Sequence, residues 1–151
     1  MRNDESNYFE FITIAPIYSD LFNLAMSLRR EVFVEEQGVP YHEEFDGKDI
    51  LATHIVIITG GNVCGTIRLI WNNHDNLTQI SRFVVRKTLR GFGVGRKLMD
   101  YALKTIEQKG YSRIYLEAQL DKIRFYEKFG FSAYGDEFLD GGILHRKMKN
   151  Y

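Results

Sequence analysis

The sequence predicts a mixed α/β (α+β) fold, in which a mostly antiparallel, twisted sheet contains one central parallel strand pair and carries flanking helices. Three observations lead to this prediction. The chain has 151 residues, the length of one ordinary domain, and 44% of them are hydrophobic, which is enough for a packed core. Short runs of β-branched and aromatic residues alternate with segments of helical periodicity. Two of these runs are separated by a helix, which makes the two strands parallel.

The N-terminal part of the sequence predicts one strand, one helix and an irregular segment. Residues 8–15 are rich in aromatic and β-branched side chains and form the strand, which ends at Pro16. Ser19 or Asp20 then caps a helix. Its apolar face is formed by Leu21, Leu24, Ala25, Leu28 and Val32. Glycine and proline in residues 37–40 end the helix, and an acidic, irregular stretch follows.

The rest of the sequence predicts six strands and two helices. Residues 53–59 and 63–71 form a hairpin, because the Gly-Gly-Asn segment between them allows the positive φ angles of a tight turn. A third antiparallel strand covers residues 78–85. The following helix ends at Gly110, and its inner face is formed by Val94, Leu98, Tyr101, Ala102 and Thr105. The last elements are a strand at 111–119, a short helix at 121–128, and strands at 132–139 and 143–148.

Composition excludes several classes of protein. Lysine plus arginine and aspartate plus glutamate both number 20, so a broad basic face for nucleic acid or a membrane surface is not expected. The single cysteine, Cys64, cannot form an internal disulfide, and the four scattered histidines lack the spacing of a metal site. No signal-like or membrane-spanning apolar run occurs, which favours a cytoplasmic protein. No linker or repeat divides the chain, so we expect one domain over residues 8–149.

The glycine-rich run at residues 90–96, R-G-F-G-V-G-R, joins a predicted strand to a predicted helix. Glycines let the backbone turn tightly and bring its N–H groups near a ligand, and the helix directs the positive end of its dipole to the same place. A phosphate or pyrophosphate ligand is therefore predicted. Arg96, Lys97 and Leu98 break the pattern of a Walker A loop, and Arg96 also stands where a dinucleotide fingerprint needs glycine. The alternative is a turn that merely eases helix packing.

Two motifs resemble the GNAT acyltransferase superfamily. R-G-F-G-V-G at residues 90–95 matches the signature Q/R-x-x-G-x-G/A, and F-Y-E-K-F-G-F at residues 125–131 is similar to the segment that closes the cofactor site in that superfamily. The second motif follows the first at the usual distance, with the expected strand between them. Features of the ElaA-like branch occur at residues 30–40, 46–49, 54, 116–119 and 140–145.

The resemblance implies acetyl-coenzyme A (acetyl-CoA) as the donor and co-substrate, and no metal. Main-chain groups of Phe83, Val84 and Val85 would run beside the pantetheine arm like an added strand. The pyrophosphate would be held by the amides of Arg90, Gly91, Phe92, Gly93, Val94, Gly95 and Arg96. Local charge agrees independently, because residues 82–109 carry eight basic side chains against two acidic ones.

The resemblance also implies that Tyr126 contacts the cofactor and acts as the acid for the departing thiolate. A phenol is protonated at neutral pH and can donate to a thiolate of similar basicity. The alternative role of Tyr126 is that of a core aromatic beside Phe125 and Phe129. Main-chain N–H groups near Val84 and Val85 would stabilise the oxyanion.

The general base is left open by the sequence. Many relatives place a glutamate on the strand before the glycine loop, but residues 78–85 contain none. Glu117 on the neighbouring parallel strand is one substitute. Glu36, Asp46 and His54 are others, and would bind the substrate if the acidic segment folds over the acceptor site. Each could instead be solvated or paired structurally, and water could carry the proton away. A further departure is Gln119, which stands where the superfamily often has asparagine.

The acceptor is predicted to be a primary amine of a small molecule or peptide. Residues 31–49 contain seven carboxylates against one lysine, which would attract a cationic acceptor, although a solvated charge run explains them equally well. The sequence therefore predicts an acetyl-CoA-dependent N-acetyltransferase that works by direct attack in a ternary complex. A non-catalytic acyl-CoA binding or sensing module is the alternative, and a purely structural or protein-binding domain would leave the glycine loop unexplained. A homodimer stays open.

Overall fold

A computed structural model describes residues 9–14 and 19–151 and contains one seven-stranded mixed sheet with the strand order β1-β2-β3-β4-β5-β7-β6. The strands are β1 Glu10–Ile14, β2 Thr53–Thr59, β3 Asn62–Asn72, β4 Leu77–Val85, β5 Arg113–Gln119, β6 Ser132–Asp140 and β7 Ile143–Lys149. The helices are α1 Asp20–Arg29, α2 Tyr41–Glu44, α3 Val94–Gln108 and α4 Ile123–Glu127. The predicted strand ends at Tyr8 and Ala15, and the stop at Pro16, lie outside the described residues.

The predicted mixed sheet is confirmed. Strands β4 and β5 pair in parallel, and the other neighbouring strands pair antiparallel. The hairpin turn between β2 and β3 consists of Gly60 and Gly61, with φ values of 55° and 75°. This left-handed backbone matches the twist of the flanking strands.

The parallel pair β4–β5 parts before either strand ends. Its register runs from Leu77↔Arg113 to Ile80↔Leu116 and goes no further within the described residues. Beyond that point β4 carries one residue more than β3, since Ser81 and Val84 pair with residues only two apart. Arg82, within this bulge, has a φ of 51°, a left-handed conformation that is uncommon for a side chain other than glycine. A bulge bends its strand, so the C-terminal part of β4 separates from β5.

Helix α1 differs in part from the predicted helix. Ser19 is its N-cap and accepts a hydrogen bond from the N–H of Leu21, at 3.2 Å. Leu24 was expected on the buried face but is 48% exposed, whereas Arg29 is completely buried. The helix continues as a π-helix over Arg30–Glu36. Hydrophobic periodicity did not reveal the burial of Arg29, because its partners come from a later segment of the chain.

Two further predictions of local structure need correction. The acidic segment expected to be irregular begins with the helical turn α2, in which the N–H of Glu44 bonds to the carbonyl of Pro40. The buried face of α3 includes Met99 and Ile106, while the expected Tyr101 and Thr105 are only half-buried. Packing against β2, β3 and β4 therefore uses a slightly rotated face of α3.

A buried charge cluster attaches residues 41–49 to α1 and the sheet. Arg29 donates from Nε to Glu44 Oε1 at 2.7 Å and from Nη1 to Asp49 Oδ1 at 2.6 Å. Arg68 of β3 donates to Asp49 at 3.0 Å and to Asp46 at 2.9 Å. Charges removed from water are tolerated only when such partners neutralise them. The cluster therefore determines where the acidic segment lies.

We predict that Arg29→Ala lowers the free energy of unfolding by about 3–5 kcal/mol, because it leaves buried carboxylates without their counter-charge. Urea denaturation followed by circular dichroism measures this change. The matched control is Arg30→Ala. Arg30 is an exposed neighbour whose pair with Glu35 spans 3.7 Å, and its loss should cost about 0–1 kcal/mol. Equal effects of the two substitutions would contradict the proposed importance of the cluster.

Candidate active site

A cleft of about 970 Å³ opens where β4 separates from β5. Its walls are formed by the end of β4, the glycine loop, α4, the segment from α2 to residue 48, and the ends of β5 and β7. Ligand-binding pockets typically have volumes of 300–1,000 Å³. The cleft therefore has room for a large cofactor and a second substrate.

The glycine loop faces this cleft through Arg90, Gly91, Gly93, Gly95 and Arg96. Gly91 and Gly93 have φ values of 87° and 78°, which other residues rarely adopt. Gly93 is the N-cap of α3, and its carbonyl accepts a hydrogen bond from the N–H of Lys97 at 3.1 Å. Amides in the first turn of a helix lack acceptors within the helix and are available to an anion.

The remaining loop residues have different roles. A Cβ atom at Gly95 would lie 3.3 Å from Cζ of Phe83, so glycine here allows α3 to approach β4 closely. At Gly95, therefore, the alternative that glycine only eases helix packing is the one that the structure favours. The side chain of Phe92 is 73% exposed and that of Val94 is buried in the core. Only their main-chain groups are therefore left for the predicted contact with a pyrophosphate.

Arg90 and Glu36 form a bidentate ion pair, with distances of 2.6 and 3.0 Å. Arg90 Nε also donates to the carbonyl of Val85 at 3.0 Å. The hydrogen bond and charge of Arg90 hold the pKa of Glu36 below its usual value. Glu36, expected to bind the substrate, is not among the residues that line the cleft and instead ties the π-helix to the glycine loop.

Tyr126 of α4 lines the cleft and is 8% exposed. Its ring packs edge-on against Phe83, Phe125 and Phe131, at centroid distances of 5.3 to 6.5 Å. Both interpretations of this residue are compatible with its position, since it belongs to the core and also reaches the cleft. Burial raises the pKa of Tyr126 well above that of a free phenol. The hydroxyl is therefore a proton-bearing donor at neutral pH.

The other predicted site residues divide into two groups. Glu117 is exposed on β5 and lines the cleft, as does Asp46, although Asp46 is held by Arg68 and Arg82. His54 is not brought to the cleft. Its side chain is completely buried, with Nε2 3.1 Å from the carbonyl of Asp49, and burial lowers the pKa of its imidazole. A substrate cannot reach a side chain in this position, so the expected substrate-binding role of His54 does not fit the structure.

The acidic segment is largely neutralised by arginine. Six of its seven carboxylates lie in ion pairs: Glu31, Glu35, Glu36, Glu44, Asp46 and Asp49. Glu43 is exposed, lines the cleft and has no such partner among the described residues. The expected attraction for a cationic acceptor is therefore restricted to the few free carboxylates of the cleft.

The polar residues of the cleft that were not assigned a site role from the sequence include Arg68, Arg82 and His145. Arg68 and Arg82 project from β3 and the β4 bulge, and His145 comes from β7. Gln119 donates from Nε2 to Gln37 Oε1 at 2.9 Å and so connects β5 to the end of the π-helix. His145 belongs to the D-G-G-I-x-H segment that carried the family resemblance, and this was the signal that could have identified it.

The described ranges contain neither a metal-binding group nor a membrane-spanning helix. No cluster of three or more histidine, cysteine, aspartate or glutamate side chains occurs there with the geometry to hold a metal ion. None of the helices there is long and apolar enough to cross a membrane.

Comparisons with known proteins agree on one family. Residues 18–131 match the model of the Acetyltransferase (GNAT) family. The chain is 38% identical over 125 residues to the uncharacterized N-acetyltransferase YjcF of Bacillus subtilis, covering 82% of this chain and 88% of that protein. Among solved structures, Escherichia coli ElaA is 28% identical with a TM-score of 0.86, covering 95% of this chain and 100% of that one. An acyl-CoA N-acyltransferase from Pseudomonas aeruginosa is 29% identical with a TM-score of 0.86, and the match covers 95% of this chain and 100% of that one.

We predict that acid destabilises the protein through the carboxylates of the cleft wall. Burial alone would raise the pKa values of Asp46 and Asp49, but hydrogen bonds and charge from Arg68 and Arg29 outweigh it and lower both. A carboxylate whose pKa is lower in the folded state than in the unfolded state stabilises the fold at pH values above its unfolded pKa of about 4. This stabilisation is lost as the pH falls from that value toward the folded-state pKa.

The free energy of unfolding, measured by urea denaturation between about pH 6 and pH 2.5, should fall steeply below about pH 4. Asp46→Asn should flatten this fall. Asp100→Asn, which removes an exposed aspartate of α3, should leave it unchanged. An identical pH dependence for Asp46→Asn and wild type would contradict the assignment.

Proposed function

Because the chain belongs to the GNAT family of acyl-CoA N-acyltransferases, we propose that it transfers an acetyl group from acetyl-CoA to a primary amine of a small molecule or peptide. The amine attacks the thioester directly while both substrates are bound. One observation carries the proposal. The N-terminus of α3, the C-terminal part of β4 and Tyr126 all face the same cleft of about 970 Å³.

The donor occupies the half of the cleft between the glycine loop and β4. The diphosphate accepts hydrogen bonds from the amides of residues 90–96, where the dipole of a 15-residue helix adds positive potential. Its pantetheine arm runs along Phe83, Val84 and Val85, where β4 has no partner in β5. The carbonyl of Val85 then exchanges its hydrogen bond from Arg90 for one from the coenzyme.

The acetyl group lies between β4 and α4. Attack by the amine places negative charge on the carbonyl oxygen, and main-chain N–H groups near Val84 and Val85 stabilise that charge because they are oriented in advance. Tyr126 donates a hydrogen bond to the sulfur as the C–S bond breaks. Its raised pKa makes the phenol a weaker acid than a thiol. The Tyr126 hydroxyl therefore acts mainly by stabilising the negative charge that develops on the sulfur, and the thiolate is fully protonated later.

The acceptor occupies the other half of the cleft, between the acidic segment and the ends of β5 and β7. Glu43 and Glu117 are exposed there and attract the ammonium form of the amine. Asp46 is committed to Arg68 and Arg82, so it shapes the wall and adds little net charge.

We predict that coenzyme A stabilises the protein through its diphosphate. A ligand at about 100 times its Kd raises the free energy of unfolding by about 2.7 kcal/mol. Urea denaturation with saturating coenzyme A should show this increase. Pantetheine, which lacks the diphosphate and the nucleotide, is the control and should give a much smaller shift at the same concentration. No shift with coenzyme A would defeat the coenzyme-binding proposal, and equal shifts would defeat the role of the glycine loop.

We predict that Tyr126→Phe lowers kcat by about 100-fold or more, in the range of positioned proton donors, while it weakens the binding of coenzyme A far less. Thiol release from acetyl-CoA, measured with a panel of amines, amino sugars, amino acids and short peptides, gives kcat, and calorimetry gives Kd. Tyr134→Phe, on β6 away from the cleft, is the matched control. Wild-type turnover by Tyr126→Phe would remove the donor role. Binding without turnover by any wild-type preparation would favour the sensing module.

A further inference from the structure

We infer that His145 is the proton acceptor for the attacking amine, a role that rests on the proposed acetyl transfer. His145 lines the cleft from β7, the strand between β5 and β6. Its direct neighbours across the strands are Gln119 of β5 and Phe138 of β6. Gln119 is the last residue of β5, next to the place where β4 and β5 have separated. The imidazole therefore belongs to the acceptor half of the cleft.

The hydrogen bonds of His145 determine which ring nitrogen is basic. Nδ1 lies 2.7 Å from the carbonyl oxygen of Ile143, and a carbonyl only accepts, so Nδ1 carries a proton. In the neutral ring Nε2 then holds the lone pair. Nε2 makes no hydrogen bond within the described residues and is not one of the fully buried polar atoms without a partner. It is left free to accept a proton from a molecule in the cleft.

Packing holds the imidazole in place. His145 is only 9% exposed, and its ring stacks on Phe138 with centroids 5.8 Å apart and an interplanar angle of 26°. A group held by a backbone hydrogen bond and an aromatic face keeps its orientation without reorganising at the moment of reaction. Such rigidity suits a proton acceptor better than it suits a surface side chain.

The other titratable side chains of the cleft fit the role less well. His42, the second histidine there, is exposed, and its ring has neither a hydrogen bond nor a stacking partner among the described residues. Asp46 is engaged by two arginines. Glu43, Glu117, Asp121 and Asp140 are exposed, so their positions are not fixed by packing as that of the His145 ring is. Histidine is also the side chain that most often serves as a general base in enzymes. We therefore assign the proton to His145, and leave to Glu117 the attraction of the incoming ammonium group.

The acyl transfer replaces the C–S bond of the thioester by a C–N bond. Once the bound ammonium group has released one proton to water, the neutral amine nitrogen forms a bond to the thioester carbonyl carbon, the C–S bond breaks, and the sulfur leaves as a thiolate that accepts the hydrogen bond of Tyr126. The proton lost by the nitrogen goes to Nε2 of His145. The resulting imidazolium donates at both nitrogens and returns its proton to water, or to the thiolate, before the next cycle.

The test uses the full chain, acetyl-CoA, and whichever amine of the panel wild type acetylates fastest. His145→Ala and His145→Gln should each lower kcat by about 100-fold or more and leave the Kd for coenzyme A unchanged. Glutamine retains an N–H donor and approximate size but cannot take up a proton, so it separates basicity from packing. His74→Ala, an exposed histidine in the turn between β3 and β4, is the matched control and should keep wild-type turnover.

Added imidazole provides the readout that a structural role would not move. It should restore part of the turnover of His145→Ala and none of that of Tyr126→Phe. Wild-type turnover by His145→Gln would overturn the inference, and so would a failure of imidazole to raise the rate of a folded His145→Ala. If His145→Ala does not fold, His145→Gln decides alone. If wild type acetylates no amine although it binds coenzyme A, the proposed function itself fails and takes this inference with it.

Discussion

The separation of two parallel strands creates the cleft and so positions the elements that line it. Strands β4 and β5 stay paired only as far as Ile80 and Leu116. One extra residue in β4 and the left-handed backbone of Arg82 then turn β4 away. A non-glycine residue in this conformation costs of order 1–3 kcal/mol. Arg82 offsets part of that cost, because its guanidinium bonds to Glu44 and Asp46. The strained residue and the cleft beside it are thus stabilised together.

The same arginines explain why an acidic surface segment becomes one wall of the cleft. Arg29, Arg68 and Arg82 meet Glu44, Asp46 and Asp49 in a cluster with equal numbers of positive and negative charges. Such a cluster gives little net attraction for a charged molecule, but it fixes the position of the segment because any displaced member would be left as an unpaired charge. In the proposed function, recognition of the acceptor would therefore depend on the shape of the wall and on its few free carboxylates.

Membership of the GNAT family establishes the acyltransferase class, and the cleft supplies a physical basis for it. In the proposed mechanism, the first amides of α3, the free edge of β4 and the buried phenol of Tyr126 serve the donor half of the cleft, and the imidazole of His145 serves the acceptor half. Proton donor and proton acceptor would then come from different elements, α4 and β7. This division lets each group be held by its own neighbours, the aromatic rings around Tyr126 and the backbone carbonyl beside His145.

Features that depend on near neighbours in the chain could be predicted from residue type and spacing over a few positions. The hairpin, the glycine loop and the parallel pair were predicted in this way, and the helix cap was narrowed to Ser19 or Asp20. Which charged groups are buried, and which form ion pairs, depended on the folded structure. Arg29 finds Glu44 15 residues away, and Arg90 finds Glu36 54 residues away. Leu24 was expected inside, His54 was expected at the substrate, and the imidazole of His145 was overlooked. These positions were missed because local sequence patterns reflect hydrophobicity and backbone preference. The partner of a charged side chain, by contrast, depends on segments that meet only after folding.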